Sequence, residues 1–117
     1  MTEFIFMLTY DDVTRKDAIE VYESIRDVKE LKFVGFKNIG LEMEEYKKLV
    51  KMMKEDGKTI FLEVVSDSEE ASIESAKVGL ELGVDYLIGT FKEYIPATLK
   101  VIEGLKYKAA WRQVPGR

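Results

Sequence analysis

Two charged residues, Lys37 and Glu63, stand near the carboxyl ends of apolar segments that run over residues 33–37 and 60–65. Alternate side chains of a strand point to the same face, so each charge shares a face with apolar neighbours two positions away. If those faces meet in one interior, the two side chains form either an ion pair that satisfies itself or a catalytic pair. A lysine in such a place can act as a general base or form a Schiff base, so Lys37 and Glu63 are the catalytic candidates.

Further polar residues follow the predicted strand ends, where they can contact a ligand. We predict ligand-binding roles for Thr9, Asp11, Asn38, Ser66, Gly89 and Thr90. The pair Asp11-Asp12 has the carboxylate chemistry of a magnesium–phosphate site, but an acidic pair ahead of a helix is equally well explained by capping and the helix dipole. Gly40 and Gly89 can offer N–H groups to a phosphate, although neither a P-loop nor a Gly-x-Gly-x-x-Gly pattern accompanies them.

The absence of two residue types restricts the chemistry further. The sequence contains neither cysteine nor histidine. Thiolate nucleophiles, Ser-His-Asp catalysis and the common zinc and iron–sulfur sites are therefore excluded. Carboxylates, lysines and hydroxyl groups remain as chemical groups, and we predict no metal site and no cofactor.

Size and charge place the chain among ordinary single domains. It has 117 residues, of which 46% are hydrophobic, and this length suits one domain with one core. Its 18 basic and 22 acidic residues leave a net charge of −4 and are interspersed, which argues against nucleic-acid and membrane partners. No signal pattern precedes the first apolar segment, which is too short to cross a bilayer. We expect a cytoplasmic protein.

The elements that position the candidate residues repeat along the chain. Apolar runs occur at residues 4–8, 33–36, 60–65 and 84–88. Amphipathic helices are predicted at about 15–28, 42–54, 69–82 and 94–102. This alternation is typical of a parallel sheet covered by helices, in which ligands bind at the carboxyl ends of the strands. A fifth strand can begin in residues 105–108, and we predict one domain over 1–108 followed by an irregular tail at 109–117.

Helix signals mark the ends of these segments. Asp12 or Thr14 can cap the first helix, and a capping box beginning at Ser66 or Ser68 can open the third. Asp56-Gly57 and Gly83 are expected to end the second and third helices. The units are therefore separated by recognisable turns.

Three stretches resemble known barrel sequences. They are Phe33-Val-Gly-Phe-Lys-Asn-Ile-Gly40, Phe61-Leu-Glu-Val-Val-Ser66 and Leu82-Gly-Val-Asp-Tyr-Leu-Ile-Gly-Thr90. They are similar to the N-terminal half of a (βα)8, or TIM, barrel of a poorly characterised bacterial family. The resemblance covers about residues 3–108 and implies four βα units, a (βα)4 half-barrel.

A second resemblance points to a flavodoxin-like fold. Met7-Leu-Thr-Tyr-Asp-Asp12 followed by Arg15 is similar to the acidic pair of a response-regulator receiver domain, and residues 83–91 resemble its last strand. Lys37, however, stands where the phosphoacceptor aspartate of a receiver belongs, and one βα unit is missing before it. The flavodoxin-like group also includes cobalamin-binding domains, whose histidine-containing loop this chain lacks. Both folds use the same βα unit, so the sequence leaves both open.

Counting the units leads to the functional hypotheses. Four strands leave two unpaired edges, and a homodimer that restores eight strands removes them. Our first hypothesis is a half-barrel scaffold, or a fragment of a TIM-barrel protein, that self-associates and lacks a complete active site. The alternative is an enzyme or binding module for phosphorylated metabolites that uses Lys37, Glu63 and Asp11. A receiver-like signalling domain is the least favoured hypothesis.

Overall fold

A computed structural model describes residues 5–10, 13–64, 68–89, 96 and 108–109 of the chain. The described helices are α1 (Ala18–Ile25), α2 (Met43–Glu55) and α3 (Glu69–Leu82). The described strands are β1 (Phe6–Met7), β2 (Thr9–Tyr10), β3 (Val13–Thr14), β4 (Phe33–Lys37), β5 (Thr59–Glu63), β6 (Tyr86–Ile88) and β7 (Lys108–Ala109).

β1, β4, β5, β6 and β7 form one parallel sheet, and their order across the sheet follows their order along the chain. Neighbouring parallel strands need a crossover connection, and α1, α2 and α3 supply it between the first four of these strands. The predicted α/β class with a parallel sheet is therefore confirmed. The fourth predicted helix, at 94–102, lies outside the described residues except for Pro96, which is helical.

The segment after β1 forms a short antiparallel hairpin that the sequence did not predict. In this hairpin β2 pairs with β3, and Thr9 lies opposite Thr14. The Thr14 hydroxyl, one of the two predicted caps of α1, is engaged elsewhere: it accepts from Lys37 N at 3.0 Å and donates to Lys37 O at 2.6 Å. α1 therefore starts later than predicted, after Asp17, whose side chain makes no cap hydrogen bond.

Asp56 ends α2 as predicted, and α3 begins and ends at predicted signals, whereas the cap at the start of α2 was not predicted. Glu42 and Glu45 form a capping box at the start of α2, in which each side chain accepts the backbone N–H of the other residue. The Ser68 hydroxyl opens α3 by accepting from Ala71 N at 3.1 Å. Gly83 closes α3 with a φ of 76°, a left-handed conformation that glycine adopts without strain.

All three described helices pack on one face of the sheet, which we call the helix face. Its strand residues Val34, Phe36, Ile60, Leu62 and Leu87 are each at most 1% exposed. The ring of Tyr46 from α2 stacks on Phe36 with centroids 5.4 Å apart. A Cβ at Gly79 of α3 would lie 2.8 Å from Leu87 Cδ2, so glycine lets α3 approach the sheet closely. The hydrophobic core lies between these layers.

Asp56, which ends α2, also ties α2 to α1. Its carboxylate accepts from Tyr22 Oη at 2.6 Å and from Arg26 Nε and Nη2 at 2.9 and 3.0 Å. The Arg26 guanidinium, followed by the Tyr22 hydroxyl, holds the pKa of Asp56 below its usual value. Burial and the Asp56 carboxylate raise the pKa of Tyr22, so the phenol remains a donor at neutral pH.

β1 and β7 are the edges of the sheet among the described strands. β7 (Lys108–Ala109) lies beside Tyr86 and Leu87, at the end of the segment where a fifth strand was predicted. The predicted domain boundary at residue 108 stays a prediction, because residues 110–117 lie outside the described part. Within that part, no helix has the length and apolar character needed to cross a bilayer.

Candidate functional site

The second face of the sheet, which we call the open face, carries the two catalytic candidates. Lys37 and Glu63 are partners in the last register pair of β4 and β5, and Glu63 is in turn the partner of Ile88 on β6. Register partners in a parallel sheet point to the same face, so these side chains lie side by side at the carboxyl ends of the strands. Lys37 is 5% exposed, and Glu63 is partly exposed. The structure brings the predicted pair together, while its catalytic role stays a prediction.

A row of aromatic rings crosses the open face below the charged pair. The rings of Phe33 and Phe61 meet edge to face with centroids 5.7 Å apart, and those of Phe61 and Tyr86 stack at 5.1 Å. Such pairs stabilise their arrangement beyond the area that they bury. All three residues remain partly exposed. The open face therefore combines an apolar surface with two charged residues at one end.

One register row runs across the whole open face. It passes through Met7, Gly35, Phe61, Tyr86 and Lys108, from one edge strand to the other. A Cβ at Gly35 would lie 2.7 Å from Met7 Sδ and 2.9 Å from Phe61 O. Glycine at this position therefore leaves room for the Met7 thioether on the sheet.

Two hydroxyl groups hold the backbone of Lys37. Its carbonyl oxygen accepts from Thr14 Oγ1 at 2.6 Å and from Tyr46 Oη at 2.7 Å. Thr14 and Tyr46 are 1% and 2% exposed, and burial is the main cause that raises the pKa of Tyr46. The tyrosine therefore stays protonated and able to donate. Sequence reasoning missed both residues, because the partners are distant along the chain and no local pattern links them.

Gly89 makes room for the Glu63 side chain at the end of β6. Its φ of 85° lies in the left-handed region, and a Cβ there would lie 3.2 Å from Glu63 Cγ and 3.7 Å from Glu63 Oε2. Gly89, predicted as a phosphate contact, therefore borders the catalytic candidate directly. Its predicted role as a ligand contact remains open to test.

Asn38, which follows β4, is held by α3. Its Oδ1 accepts from Ser75 Oγ at 2.8 Å, and Ser75 is fully buried. This side-chain oxygen therefore lies at the helix layer of the molecule. Lys37 and Asn38, adjacent in the chain, thus have their functional groups on different sides of the sheet, as strand alternation requires.

Thr9 belongs to the hairpin at the same end of the sheet. A shallow depression of about 490 Å³ lies beside this hairpin. Its lining residues are Tyr10, Val13, Thr14, Arg15, Lys16 and Asp17. Arg15 Nε and Asp17 Oδ1 form an exposed ion pair at 2.8 Å across this surface. The depression includes neither Lys37 nor Glu63 in its lining, so it is separate from the predicted site.

The remaining ligand-binding candidates Asp11, Ser66 and Thr90 lie outside the described residues, as does Asp12. Among the residues that the structure describes, no three acidic side chains come together in a way that could hold a metal ion. The described part of the site thus consists of one ammonium group and one carboxylate above an aromatic floor. Such a pair can donate and accept hydrogen bonds to a polar ligand whose apolar part contacts the rings.

No known protein family and no curated protein matches this chain in sequence comparisons. The geometry of the sheet and its two faces is therefore the basis for inferring a function.

Proposed function

We propose that this chain is a half-barrel scaffold that associates with a second copy of itself and holds no complete active site of its own. The observation that carries the proposal is the open face, whose aromatic row is partly exposed while the described helices all lie on the other face. In a closed βα barrel the corresponding face is the interior, filled by side chains of the other strands. A second copy can supply those strands.

The strand order supports a half-barrel rather than a flavodoxin-like sheet. A flavodoxin-like sheet reverses its strand order at a switch point and carries helices on both faces. Here the described strands follow chain order without reversal. Right-handed crossovers that always add the next strand at the same edge keep their helices on one side, which agrees with the common packing of α1, α2 and α3.

Light scattering with one face variant and one matched control tests the proposal. The wild-type protein should have twice the 13.5 kDa mass of one chain at micromolar concentration. Phe61→Lys places a charge in the middle of the aromatic row and should give a monomer. Val28→Lys adds the same charge at an apolar residue that is 45% exposed after α1, and this variant should remain a dimer.

The control for folding is a second open-face variant together with circular dichroism. Tyr86→Lys should also give a folded monomer, so loss of the dimer in both variants cannot be ascribed to one unfolded chain. A wild-type protein that stays monomeric at all accessible concentrations would rule out the scaffold proposal.

We propose a binding site for a phosphorylated metabolite as the second candidate function. It is favoured by one observation, the burial of Lys37 beside Glu63 at the carboxyl ends of the strands. Parallel βα folds bind ligands at this end, and an ammonium group is a common phosphate ligand. Lys37 would hold the phosphate, and Glu63 would accept hydroxyl groups of the same ligand.

Thermal melting in the presence of inorganic phosphate and sugar phosphates tests the second candidate. A ligand that binds only the folded state stabilises it by RT ln(1 + L/Kd), where L is the free ligand concentration, so the melting temperature rises and keeps rising as that concentration exceeds Kd. The shift should disappear in Lys37→Ala and persist in Lys32→Ala, which removes an exposed lysine just before β4, at the opposite end of that strand. Absence of any shift, or an equal shift in both variants, would refute the Lys37 site.

A further inference from the structure

We infer that two copies of this chain join head to tail through their sheet edges, so that β1 of each copy lies parallel to β7 of the other. The twofold axis then runs along the strands. This inference rests on the proposed self-association and specifies its geometry. It also makes one end of the assembly a site to which both copies contribute.

The two edges suit each other because every strand of the sheet runs in the same direction. β1 and β7 each have one strand neighbour within the described residues. When a second copy places its β1 beside β7, that β1 extends the sheet by one parallel strand. It is added on the same side of β7 and in the same direction as β7 is added beside β6. The helices stay on the outside, and repeating the join at the other edge closes a ring of ten described strands, five from each copy, in place of the eight expected from four units. This ring leaves no described edge unpaired.

The register row across the open face supports the same join. Met7 stands at one end of the row and Lys108 at the other. Closure makes the row continuous around the ring, apart from the stagger that a barrel imposes. The partly exposed rings of Phe61 and Tyr86 in one copy then face the interior that the other copy completes.

Other twofold arrangements leave more of the sheet uncovered. A join of β1 to the β1 of a second copy leaves both β7 edges and both aromatic rows exposed. Stacking the two open faces covers the rows but leaves every edge strand unpaired, which is the condition that favours open-ended aggregation. The head-to-tail ring is the arrangement that removes both exposures.

The ring has a consequence for the candidate site. Since all strands are parallel, the carboxyl ends of both copies meet at one opening. Lys37 and Glu63 of each copy lie around that opening, so the opening carries two ammonium groups and two carboxylates. One copy alone carries half of this arrangement.

Cysteine cross-linking tests the geometry cleanly because the chain contains no cysteine of its own. The double variant M7C/K108C, treated with a short bis-maleimide, should give a covalent dimer. Each single variant should give none, because identical positions lie on opposite sides of the ring. Linking within one chain is prevented by the four strand spacings between β1 and β7, roughly 19 Å at about 4.8 Å each.

The outcomes distinguish the β1–β7 ring from self-association in general. A dimer by light scattering together with a covalent dimer of M7C/K108C supports both. A dimer in which M7C links to itself, or in which the double variant gives no product, overturns the ring and leaves the scaffold proposal standing. A ladder of larger products shows an open chain of copies and overturns closure, and a wild-type monomer overturns both.

Two controls guard against chance collisions and misfolding. V28C/K108C pairs a cysteine at an exposed residue outside the sheet with the same β7 position and should give no covalent dimer. The melting temperature of M7C/K108C should stay close to that of the wild-type protein. A covalent dimer of V28C/K108C at equal yield would also overturn the inferred join.

Discussion

The two faces of the parallel sheet are made from the same strands but have different surroundings. On the helix face, Leu62 is fully buried beneath the helix layer. On the open face, the preceding residue Phe61 stacks on Tyr86, meets Phe33 edge to face and remains partly exposed. The difference shows that one strand can contribute to stability with one set of alternate residues and leave the other set available for association or ligand binding.

The largest expected difference comes from Leu62 and Phe61 themselves. Leu62→Ala should lower the free energy of unfolding by about 2–5 kcal/mol, because it removes buried methyl groups and leaves a cavity. Phe61→Ala should lower the free energy of unfolding by a smaller amount. Both values are measured by urea denaturation at a protein concentration too low for association. An equal loss in the two variants would show that the open face belongs to the core and would end the comparison.

A smaller effect is expected where the end of the open face meets the hairpin. Thr14→Val removes the hydroxyl that hydrogen-bonds both the N–H and the C=O of buried Lys37. It should therefore lower the free energy of unfolding by about 1–3 kcal/mol. Tyr46→Phe leaves Lys37 O with its Thr14 partner and should cost about 0.5–1.5 kcal/mol. Urea denaturation of both variants checks the order. A larger loss in Tyr46→Phe would mean that Thr14 contributes little to holding β4.

The smallest effect is the pH dependence of the hydrogen bonds that the Asp56 carboxylate accepts from α1 and its C-cap. The pKa of Asp56 is lowered in the folded protein, so its contribution is present above the unfolded value of about 3.9 and is lost as the pH falls through the folded value. Melting temperatures of the wild-type protein and Asp56→Asn should differ at pH 7 and converge below about pH 4. Asp27→Asn, at an exposed aspartate beside α1, is the control. A wild-type–Asp56→Asn difference that persists unchanged at low pH would contradict the ionic role.

Local patterns predicted much of the fold because they act over a few residues. The cap at Ser68 and the helix ends at Asp56 and Gly83 each depend on hydrogen bonds within one helical turn. The hairpin after β1 was not predicted, because its position depends on the distant contact between Thr14 and Lys37. The same contact delays the start of α1.

The candidate site was predictable to the extent that strand parity decides it. Alternation along β4 and β5 assigned each charge to one face of its own strand, and the register of the two strands is what brings Lys37 and Glu63 to the same face. Strand alternation could not predict that Ser75 of α3 would donate a hydrogen bond to the Asn38 side-chain oxygen. That contact depends on where α3 lies over the sheet.

The sequence by itself determined the α/β class, the parallel sheet and the face of its own strand on which each of the two charges lies, because periodicity and turn residues act locally. Only the tertiary structure decided which face the helices cover and which residues support the charged pair. Those features depend on contacts such as Tyr46 with Lys37 and Gly79 with Leu87, between residues that the chain brings together only when the layers pack.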